Sequence, residues 1–562
     1  MATSYPPKTP GVYVQEISTL PPSVAAVSTA IPAFIGPTAI ADSINTPQRI
    51  DTLMEFEQRF GGAPDAQIEV SVGGDGSLSV TTDKSIPLLY YSLRLYFANG
   101  GGPCYVVSTG TDTAEPTLDP FQKALDALEA VDEVTLIVLP DATRLADVHP
   151  TVCASALAHC AKMGDRFAVL DLRQTATGDP IQDSRNDVTT FRDKLNSSYL
   201  NYGAIYTPYL RTSIALEYDD AAVTVRGVWT DLGGMRVRFE APRLSADTTG
   251  TDSSAAGTGM KSPLVQVVGS ETTGIDFKFD EDSTTLKLTI TVQKESGATP
   301  SAIEEAWKSK TASPSMDTKG FSLSLVDGAS SQAMKPMPKP RFLNVTLAEV
   351  RTSNTGLYNQ IRTLMANRRV VLPPSGAMAG IYARVDRERG VWKAPANVAV
   401  SSVLDLDRTF TDEQQEGLNV DPVGGRSINA IRAFTGRGTL VWGARTLAGN
   451  DNEWRYVSVR RLFIMIEESA QKSTAFAVFE PNDATTWLKV KAMIESFLYG
   501  LWEQGALAGP KPEAAYFVNV GLGTTMTPQD ILEGRMIVEI GIAAVRPAEF
   551  IILKFTHKLQ EA

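Results

Sequence analysis

The sequence predicts a multidomain protein of the α/β and α+β classes. Its 562 residues are enough for several domains of about 100–200 residues each. Helix and strand patterns alternate through much of the first 210 residues, which is typical of a mainly parallel sheet covered by helices. The pattern becomes β-rich after residue 210, and α/β signals return in the C-terminal quarter.

Residues 1–30 have the character of an extended N-terminal arm. Five prolines exclude a continuous helix through most of this segment. Between them lies a short strand-like sequence, GVYVQEI, with the apolar residues Val12, Tyr13, Val14 and Ile17. A lone strand flanked by prolines is not stable by itself. We therefore expect it to join a sheet, in this molecule or in a neighbouring one.

A middle α/β domain with a mainly parallel sheet is predicted for residues 31–210 and 341–400. Two helices that end at glycines precede a strand at 104–108. Thereafter helices and buried strands alternate, because apolar residues recur first at helical and then at strand spacing. The predicted helices span 121–131, 154–165 and 185–197, and the predicted strands span 134–140, 167–172 and 202–210.

The remaining sequence predicts three further segments. Residues 211–340 form an inserted β-rich surface domain, since alternating strand patterns are separated by polar, glycine-rich stretches. Residues 401–548 form a C-terminal α/β core domain with helices at 457–471 and after Asp483, and strands at 475–481 and 515–520. Residues 549–562 form a C-terminal strand arm with the apolar residues Phe550, Ile552 and Phe555.

Composition limits the classes of function. The net charge of −12 argues against a general nucleic-acid-binding protein. No apolar run reaches the roughly 18–20 residues of a membrane helix, and the N-terminus lacks the pattern of a signal peptide, so we expect no membrane contact. Three cysteines favour folding in a reducing cytoplasm. Residues 421–562 carry 15 basic and 15 acidic side chains, so the excess acid lies in residues 1–420.

The sequence contains few candidates for chemistry. Asp141 and Asp171 lie at the carboxyl ends of predicted parallel strands, where α/β enzymes bind ligands, so an α/β hydrolase or phosphatase is the alternative function. The glycine-rich segments do not fit a phosphate loop. The His and Cys residues between 149 and 160 do not fit a zinc pattern. We therefore predict no catalytic, cofactor-binding or metal-binding residue.

The stretch 437–487 combines three tryptophans with many apolar and charged residues. Its predicted helix carries two arginines near the N-terminus and two glutamates near the C-terminus, which is unfavourable for the helix dipole. We expect these charges to have partners outside their own helix, some of them on another chain. The four predicted interface charges are Arg460, Arg461, Glu467 and Glu468.

Several motifs resemble those of contractile tail sheath proteins from myophages and contractile injection systems. Outside 211–340 they cover nearly the whole chain, and the C-terminal motifs are the most specific. The motifs are TPGVYVQEI (9–17), STAIPAFIG (28–36), EFEQRFGG (55–62), FANGGGPCYVV (97–107), ALDALEAVDEVTLIVLPD (124–141), PPSGAMAGIYARVDRERGVWKAPAN (373–397), INAIRAFTGRGTLVWGARTL (428–447), EWRYVSVRRLFIMIEES (453–469), FEPND (479–483), LWEQGAL (501–507) and PAEFI (547–551).

The resemblance implies a structural subunit without enzymatic activity or cofactors. Copies would stack as sixfold rings into a helical, metastable sleeve, and the terminal arms would exchange strands between copies. The implied partners are further copies, an inner tube protein, a baseplate and terminator or cap proteins. Assembly in the bacterial cytoplasm would produce a bacteriophage tail or a phage-like injection particle. The resemblance leaves open which of the two it is.

Overall fold

Chain segments far apart in sequence combine into two compact units. A computed structural model describes residues 24–552 except 65, 67, 73–76, 83–85, 112–115, 227–228, 233–234, 240–261, 273, 282–284, 313–317, 319–320, 326–332, 337–340, 343–344 and 354. The first unit contains Met1–Gly62, Leu88–Ser213 and Val371–Ala562. The second contains Ala63–Pro87 and Ile214–Val370.

The first unit is built on a nine-stranded sheet, here called the central sheet. Its five consecutive parallel pairings confirm the predicted mainly parallel arrangement, and its outer pairings are antiparallel. In spatial order its strands are Gln48–Ile50, Cys104–Thr111, Pro32–Thr38, Leu136–Val138, Phe167–Asp171, Gly203–Thr207, Asn429–Phe434, Gly438–Val441 and Val398–Ala399. Because two strands from beyond residue 400 extend the sheet, it crosses the boundary that we predicted between the middle and C-terminal domains.

Eleven α-helices of the first unit lie within the described residues. The β-branched and long apolar residues of the central strands are buried together with helical residues such as Phe121, Leu125 and Leu157. The α-helices are Leu53–Phe60, Leu89–Ala98, Leu118–Leu128, His149–Met163, Pro180–Lys194, Ser375–Arg389, Asp412–Asn419, Val457–Thr474, Ala484–Glu503, Pro512–Ala515 and Pro528–Leu532. Short 3-10 helices span Pro140–Arg144, Leu200–Tyr202 and Ala475–Ala477.

Two smaller antiparallel pairings complete the first unit. Leu210–Ala215 pairs with Val403–Leu406, and Tyr516–Val520 pairs with Val538–Ile542. The predicted strand at 475–481 is wrong. Its first residues form a 3-10 turn, and Phe479 adopts a positive φ of 67°, which is incompatible with a strand.

The second unit is β-rich, as predicted for 211–340, but it also contains residues 63–87 and 341–370, which we had assigned to the middle domain. Strand Val223–Arg226 pairs in parallel with Ile68–Val72 and antiparallel with Val345–Thr346, and these pairings explain the difference. The other strands of this unit are Leu78–Thr82, Trp229–Leu232, Met235–Phe239, Ser262–Ser270, Asp276–Glu281, Thr285–Gln293, Phe321–Leu325 and Arg341–Phe342. Its helices are Pro300–Thr311, Leu347–Ser353 and Thr355–Ala366, and strand Arg369–Leu372 lies at the division between the units.

Replacing Asp483 by alanine should destabilise the first unit slightly. As predicted, this residue caps helix Ala484–Glu503: one carboxylate oxygen accepts hydrogen bonds from the amides of Thr485 at 2.9 Å and Thr486 at 3.0 Å. Losing such a cap costs about 1 kcal/mol. Denaturant unfolding will measure the loss, and Glu480→Ala in the same exposed loop is the control. Equal stability of the two variants would contradict the capping role.

Candidate functional site

The helix Val457–Thr474 is here called the charged helix. It is largely buried, because its sequence is rich in apolar residues. Leu462, Met465 and Ile466 pack into a cluster with Val490, Ile494 and Leu498 of the following long helix. Arg460, Arg461 and Glu468 are buried as well. Buried charges require partners, so the contacts of these side chains indicate what the helix holds together.

Arg461 forms a buried ion pair with Asp386. Its guanidinium donates two hydrogen bonds to the carboxylate, at 3.0 Å to Oδ1 and 2.6 Å to Oδ2. It also donates to the carbonyl oxygen of Thr29 at 2.8 Å and lies over the ring of Tyr382 at 4.6 Å. The Thr29 hydroxyl donates to Asp386 at 2.6 Å. Arg461 therefore has partners outside its own helix, as predicted, but these partners belong to the same chain.

Arg460 is sandwiched between two aromatic rings. Its guanidinium carbon lies 4.4 Å from the ring centroid of Tyr202 and 4.6 Å from that of Trp454. It donates a hydrogen bond to the Tyr202 hydroxyl at 2.8 Å, and Glu467 of the same helix lies 3.5 Å away. The sequence interpretation thus requires a correction, since Glu467 faces an arginine of its own helix.

Glu468 also departs from the prediction. It accepts a hydrogen bond from Lys472, one turn further along the same helix, at 2.7 Å. Burial raises the pKa of Glu468, and the hydrogen bond from Lys472 opposes this rise. Lys472 in turn contacts Asp132 at 2.7 Å. Whether any of the four charges also contacts another chain remains a prediction.

The described part of the N-terminal arm, from residue 24 to residue 31, lies against the charged helix. The amide of Val27 donates to the Ser469 hydroxyl at 3.2 Å. The amide of Ile31 donates to the Thr135 hydroxyl at 2.8 Å. Together with the contacts of Thr29, these bonds fix the base of the arm on the body. The predicted strand residues of this arm, Val12, Tyr13, Val14 and Ile17, lie outside the described residues.

The base of the C-terminal arm is held by Glu549. Its carboxylate accepts hydrogen bonds from Arg445 at 2.9 and 2.6 Å, from Asn419 at 3.0 Å and from Tyr456 at 3.2 Å. Burial raises the pKa of Glu549, but the hydrogen bonds, above all from Arg445, outweigh it and hold the pKa below its usual value. Sequence reasoning missed this residue and Arg445, although both lie in quoted motifs, because nothing local links positions 104 residues apart.

The residues after Glu549 belong to the predicted C-terminal strand arm, 549–562, which we expect to pair with another copy. Within this chain residues 549–552 form no strand, and the rest, with Phe555, lies outside the described residues, so the arm strand remains a prediction. Phe550, Ile551 and Ile552 are 71%, 80% and 79% exposed. Three consecutive apolar side chains in solvent are unfavourable for an isolated chain and are typical of a segment that another surface covers.

Strands Tyr516–Val520 and Val538–Ile542 form a two-stranded ribbon, here called the ribbon. Its inner face packs on helix Ala484–Glu503, where Val518 is buried, whereas Tyr516, Val538 and Ile540 are only partly buried. No third strand pairs with either edge among the described residues. A two-stranded sheet is marginal, and unpaired edges bind further strands readily.

The two candidate catalytic carboxylates are buried, and each accepts a hydrogen bond from a backbone amide of the same chain. Asp171 accepts a hydrogen bond from the Ser375 amide at 2.6 Å, and Asp141 accepts one from the Leu88 amide at 2.8 Å. Burial raises the pKa of Asp171 to about 7 and that of Asp141 to about 6, although these bonds, and Arg144 beside Asp141, oppose the rise. They are 3% and 0% exposed, so a substrate has no access to either carboxylate.

The described residues form neither a metal site nor a membrane-spanning helix. Within the described parts of the chain, no group of three or more His, Cys, Asp or Glu side chains is arranged to hold a metal ion. His149 and Cys153 contact each other at 3.4 Å in the core, and burial lowers the pKa of His149 to about 4. No helix among the described residues has the length and apolarity needed to cross a bilayer.

Replacing Asp171 by asparagine should remove part of the pH dependence of stability. Both buried carboxyl groups have a raised pKa, so folding favours their neutral forms. Their stabilisation is complete below the ordinary value of 3.8 and is lost as the pH rises through about 6 and 7. Each pKa unit corresponds to about 1.4 kcal/mol, so Asp171→Asn should gain a few kcal/mol more at pH 8.5 than at pH 5.

Urea unfolding at pH 5 and pH 8.5 measures this gain. The exposed Asp42→Asn is the control for removing one negative charge. A gain of the same size at both pH values would show that Asp171 does not titrate in this range in the folded chain.

Comparison with known proteins identifies the architecture. Residues 337–447 match the family model of the phage tail sheath protein central domain, and residues 449–558 match that of the phage tail sheath C-terminal domain. Both models describe contractile tail sheath proteins, so residues 337–558 of this chain are similar to that family almost without a gap. This family is structural and not enzymatic, so the alternative of a hydrolase or phosphatase using Asp141 and Asp171 is wrong.

Individual sheath proteins are similar to this chain as well. It is 23% identical to the tail sheath protein of Vibrio phage KVP40 over 34% of its own length and 27% of the relative, and 25% identical to that of Enterobacteria phage T4 over 33% and 27%. It thus spans about a quarter of the length of these relatives. A sheath structure from an extracellular contractile injection system (PVC sheath complex, contracted state) is 28% identical over 99% of both chains, with a TM-score of 0.53.

Proposed function

We propose that this chain is the structural subunit of a contractile sheath. Copies would form a helical sleeve of stacked sixfold rings around an inner tube, and contraction would drive the tube through a target envelope. The observation that carries this proposal is the similarity to the contracted PVC sheath over 99% of both chains. A second solved structure, the helical sheath of the anti-feeding prophage in its contracted state, is 27% identical with a TM-score of 0.52.

The arms and the ribbon supply a means of joining copies. An extended segment can add to an open sheet edge through main-chain hydrogen bonds. The ribbon has two such edges within the described residues, and its partly exposed inner face would gain cover from flanking strands. The apolar residues after Glu549 need cover of their own. We infer that arm strands of one copy add to the ribbon of another, which would remove both unfavourable exposures.

Strand exchange would also allow movement without dissociation. The bases of both arms are fixed on the body by Asp386 and Glu549, whereas the segments beyond would remain paired with neighbours. Each body could then rotate rigidly between an extended, metastable arrangement and a contracted one. The charge-balanced residues 421–562 would face the tube and neighbouring copies, and the acidic remainder would face outward.

We further propose the partners and the location. Besides other copies, the chain would contact an inner tube protein, a baseplate that triggers contraction and a terminator or cap protein. One similar solved structure is the anti-feeding prophage baseplate, at 27% identity and a TM-score of 0.51. The sleeve would assemble in the bacterial cytoplasm and function in a phage tail or in a phage-like injection particle.

Electron microscopy of the purified chain tests the proposal. We expect hollow tubes or stacked rings from the chain alone or when it is co-expressed with a tube protein. Asp141→Asn should form the same assemblies, because this carboxylate has no catalytic role. Discrete particles under both conditions, with a hydrolytic activity that Asp141→Asn abolishes, would contradict the proposal.

A further inference from the structure

The hydrogen bonds around Glu549 form a clamp, here defined as Glu549, Arg445, Asn419 and Tyr456. Both oxygens of the carboxylate are engaged, and the Arg445 guanidinium binds them from two nitrogens. Charge-assisted pairs of this two-bond type are the strongest hydrogen bonds that side chains form. The clamp joins the last described stretch of the chain to elements more than ninety residues earlier.

The receiving side of the clamp is rigid. Arg445 is 5% exposed, and its backbone is fixed on both sides by Asn429 of the central sheet. The Asn429 side chain accepts from the Arg445 amide at 2.8 Å and donates to the Arg445 carbonyl oxygen at 2.8 Å. Arg445 also donates to the carbonyl oxygen of Asn419 at 3.1 Å. The position of Glu549 is therefore set by the central sheet.

The held side of the clamp has little else to fix it. No residue from 543 to 552 is buried. Three main-chain bonds, from Ala508 to Ala543, from Ala543 to Ala515 and from Val545 to Ala506, hold the start of this stretch. Arg546 donates one hydrogen bond to the carbonyl oxygen of Asn452 at 2.8 Å. Without apolar burial, the path of the chain at 547–552 depends on the single carboxylate of Glu549.

We propose that the Arg445–Glu549 clamp is a positioning device that fixes the direction in which the C-terminal arm leaves the body, and that assembly with a second copy depends on it. The clamp is the last contact that holds the chain on the body before an exposed segment begins, because the exposed residues Phe550, Ile551 and Ile552 follow it directly. This inference rests on the proposed sheath function, which it deepens by naming the residues that aim the arm.

The physical reason is effective concentration. A segment that leaves its own body in a fixed direction presents its strand near the edge that it must join. If the clamp opens, residues 547–552 can sample many directions, so the local concentration of the arm at its target falls. Ordering these residues on binding then costs additional entropy. Assembly should therefore weaken more than the fold.

Glu549→Gln tests the clamp, and Asp187→Asn is a matched control. Asp187 forms an ion pair with Arg408 at 2.9 Å that is buried more deeply, with side-chain exposures of 4% and 8% against 22% and 6% for Glu549 and Arg445, but it lies far along the chain from either arm. Both variants remove one carboxylate charge from an arginine pair. We expect the critical concentration for tube formation to rise by about tenfold or more for Glu549→Gln. Asp187→Asn should assemble like the unmodified chain at temperatures where it is folded.

Chymotrypsin digestion of the unassembled chain provides an independent measurement. Cleavage after Phe550 should be several-fold faster in Glu549→Gln than in the unmodified chain or Asp187→Asn, because local opening exposes this bond to the protease. Unchanged cleavage, or an equal loss of assembly in both variants, would overturn the clamp. If the unmodified chain forms no tubes in any condition, the proposed sheath function fails, and the cleavage rates alone decide whether Glu549 fixes the arm.

Discussion

Deleting residues 1–20 is expected to leave a folded, soluble chain that no longer forms tubes. The deletion keeps the base of the N-terminal arm, where Val27 and Thr29 are bonded to the charged helix and to Asp386. The nine-stranded central sheet is formed entirely by residues after 31. The melting temperature should therefore change by only a few degrees, whereas assembly should fail because the strand that would join a neighbour is gone.

A full-length variant separates the loss of the strand from the loss of chain length. Proline at position 12 removes a main-chain donor and cannot sit within a sheet ladder, so Val12→Pro should also prevent assembly. Val12→Ala keeps the donor and should still assemble. Electron microscopy and sedimentation of the three variants provide the comparison. Normal tubes from the truncated chain would rule out strand addition by the N-terminal arm.

Local sequence patterns were sufficient where an element owes its form to its own residues. The alternation between residues 104 and 210 was confirmed, because apolar spacing reports directly on helices and strands that pack in a sheet. The cap at Asp483 was readable for the same reason. The strand prediction for residues 475–481 was wrong because AFAVF has the composition of a strand. These residues form a short link between two long helices, and Phe479 turns the chain there with a positive φ.

Pairings between distant residues could not be read from one sequence. Ile68–Val72 looked like part of the middle domain, yet it pairs with a strand about 150 residues later and belongs to the second unit with that strand. The predicted helix at 457–471 was confirmed, and its arginines had been named. Their partners had not been, because Asp386 lies 75 residues from Arg461, and Glu549 lies 104 residues from Arg445. Sequence reveals which charges are unusual, whereas the fold decides what they bind.

Replacing Asp386 by alanine is expected to lower the free energy of unfolding by about 3–5 kcal/mol, because it leaves the Arg461 guanidinium buried without its carboxylate. The side chains of this pair are only 8% and 4% exposed, so water cannot replace the lost partner. The Thr29 hydroxyl loses its acceptor in the same variant. Denaturant unfolding measures the cost.

Two further variants test whether burial of the Asp386–Arg461 pair causes this loss of stability. Asp407 pairs with Arg211 at 2.9 Å, but the side chains are 30% and 55% exposed, so Asp407→Ala should cost less than about 1 kcal/mol. The double variant Asp386→Leu with Arg461→Met removes both charges together and should recover at least half of the loss, since an apolar pair can replace a buried ion pair.

The outcome also decides how the charged helix serves assembly. If Asp386→Ala is as costly as expected, Arg461 holds its own body together and fixes the base of the N-terminal arm, so its contribution to a neighbouring copy is indirect. If Asp386→Ala costs no more than Asp407→Ala, Arg461 is not committed to this pair in solution. In that case the original hypothesis, in which this arginine binds a partner on another chain, becomes the better explanation of a buried cation at this position.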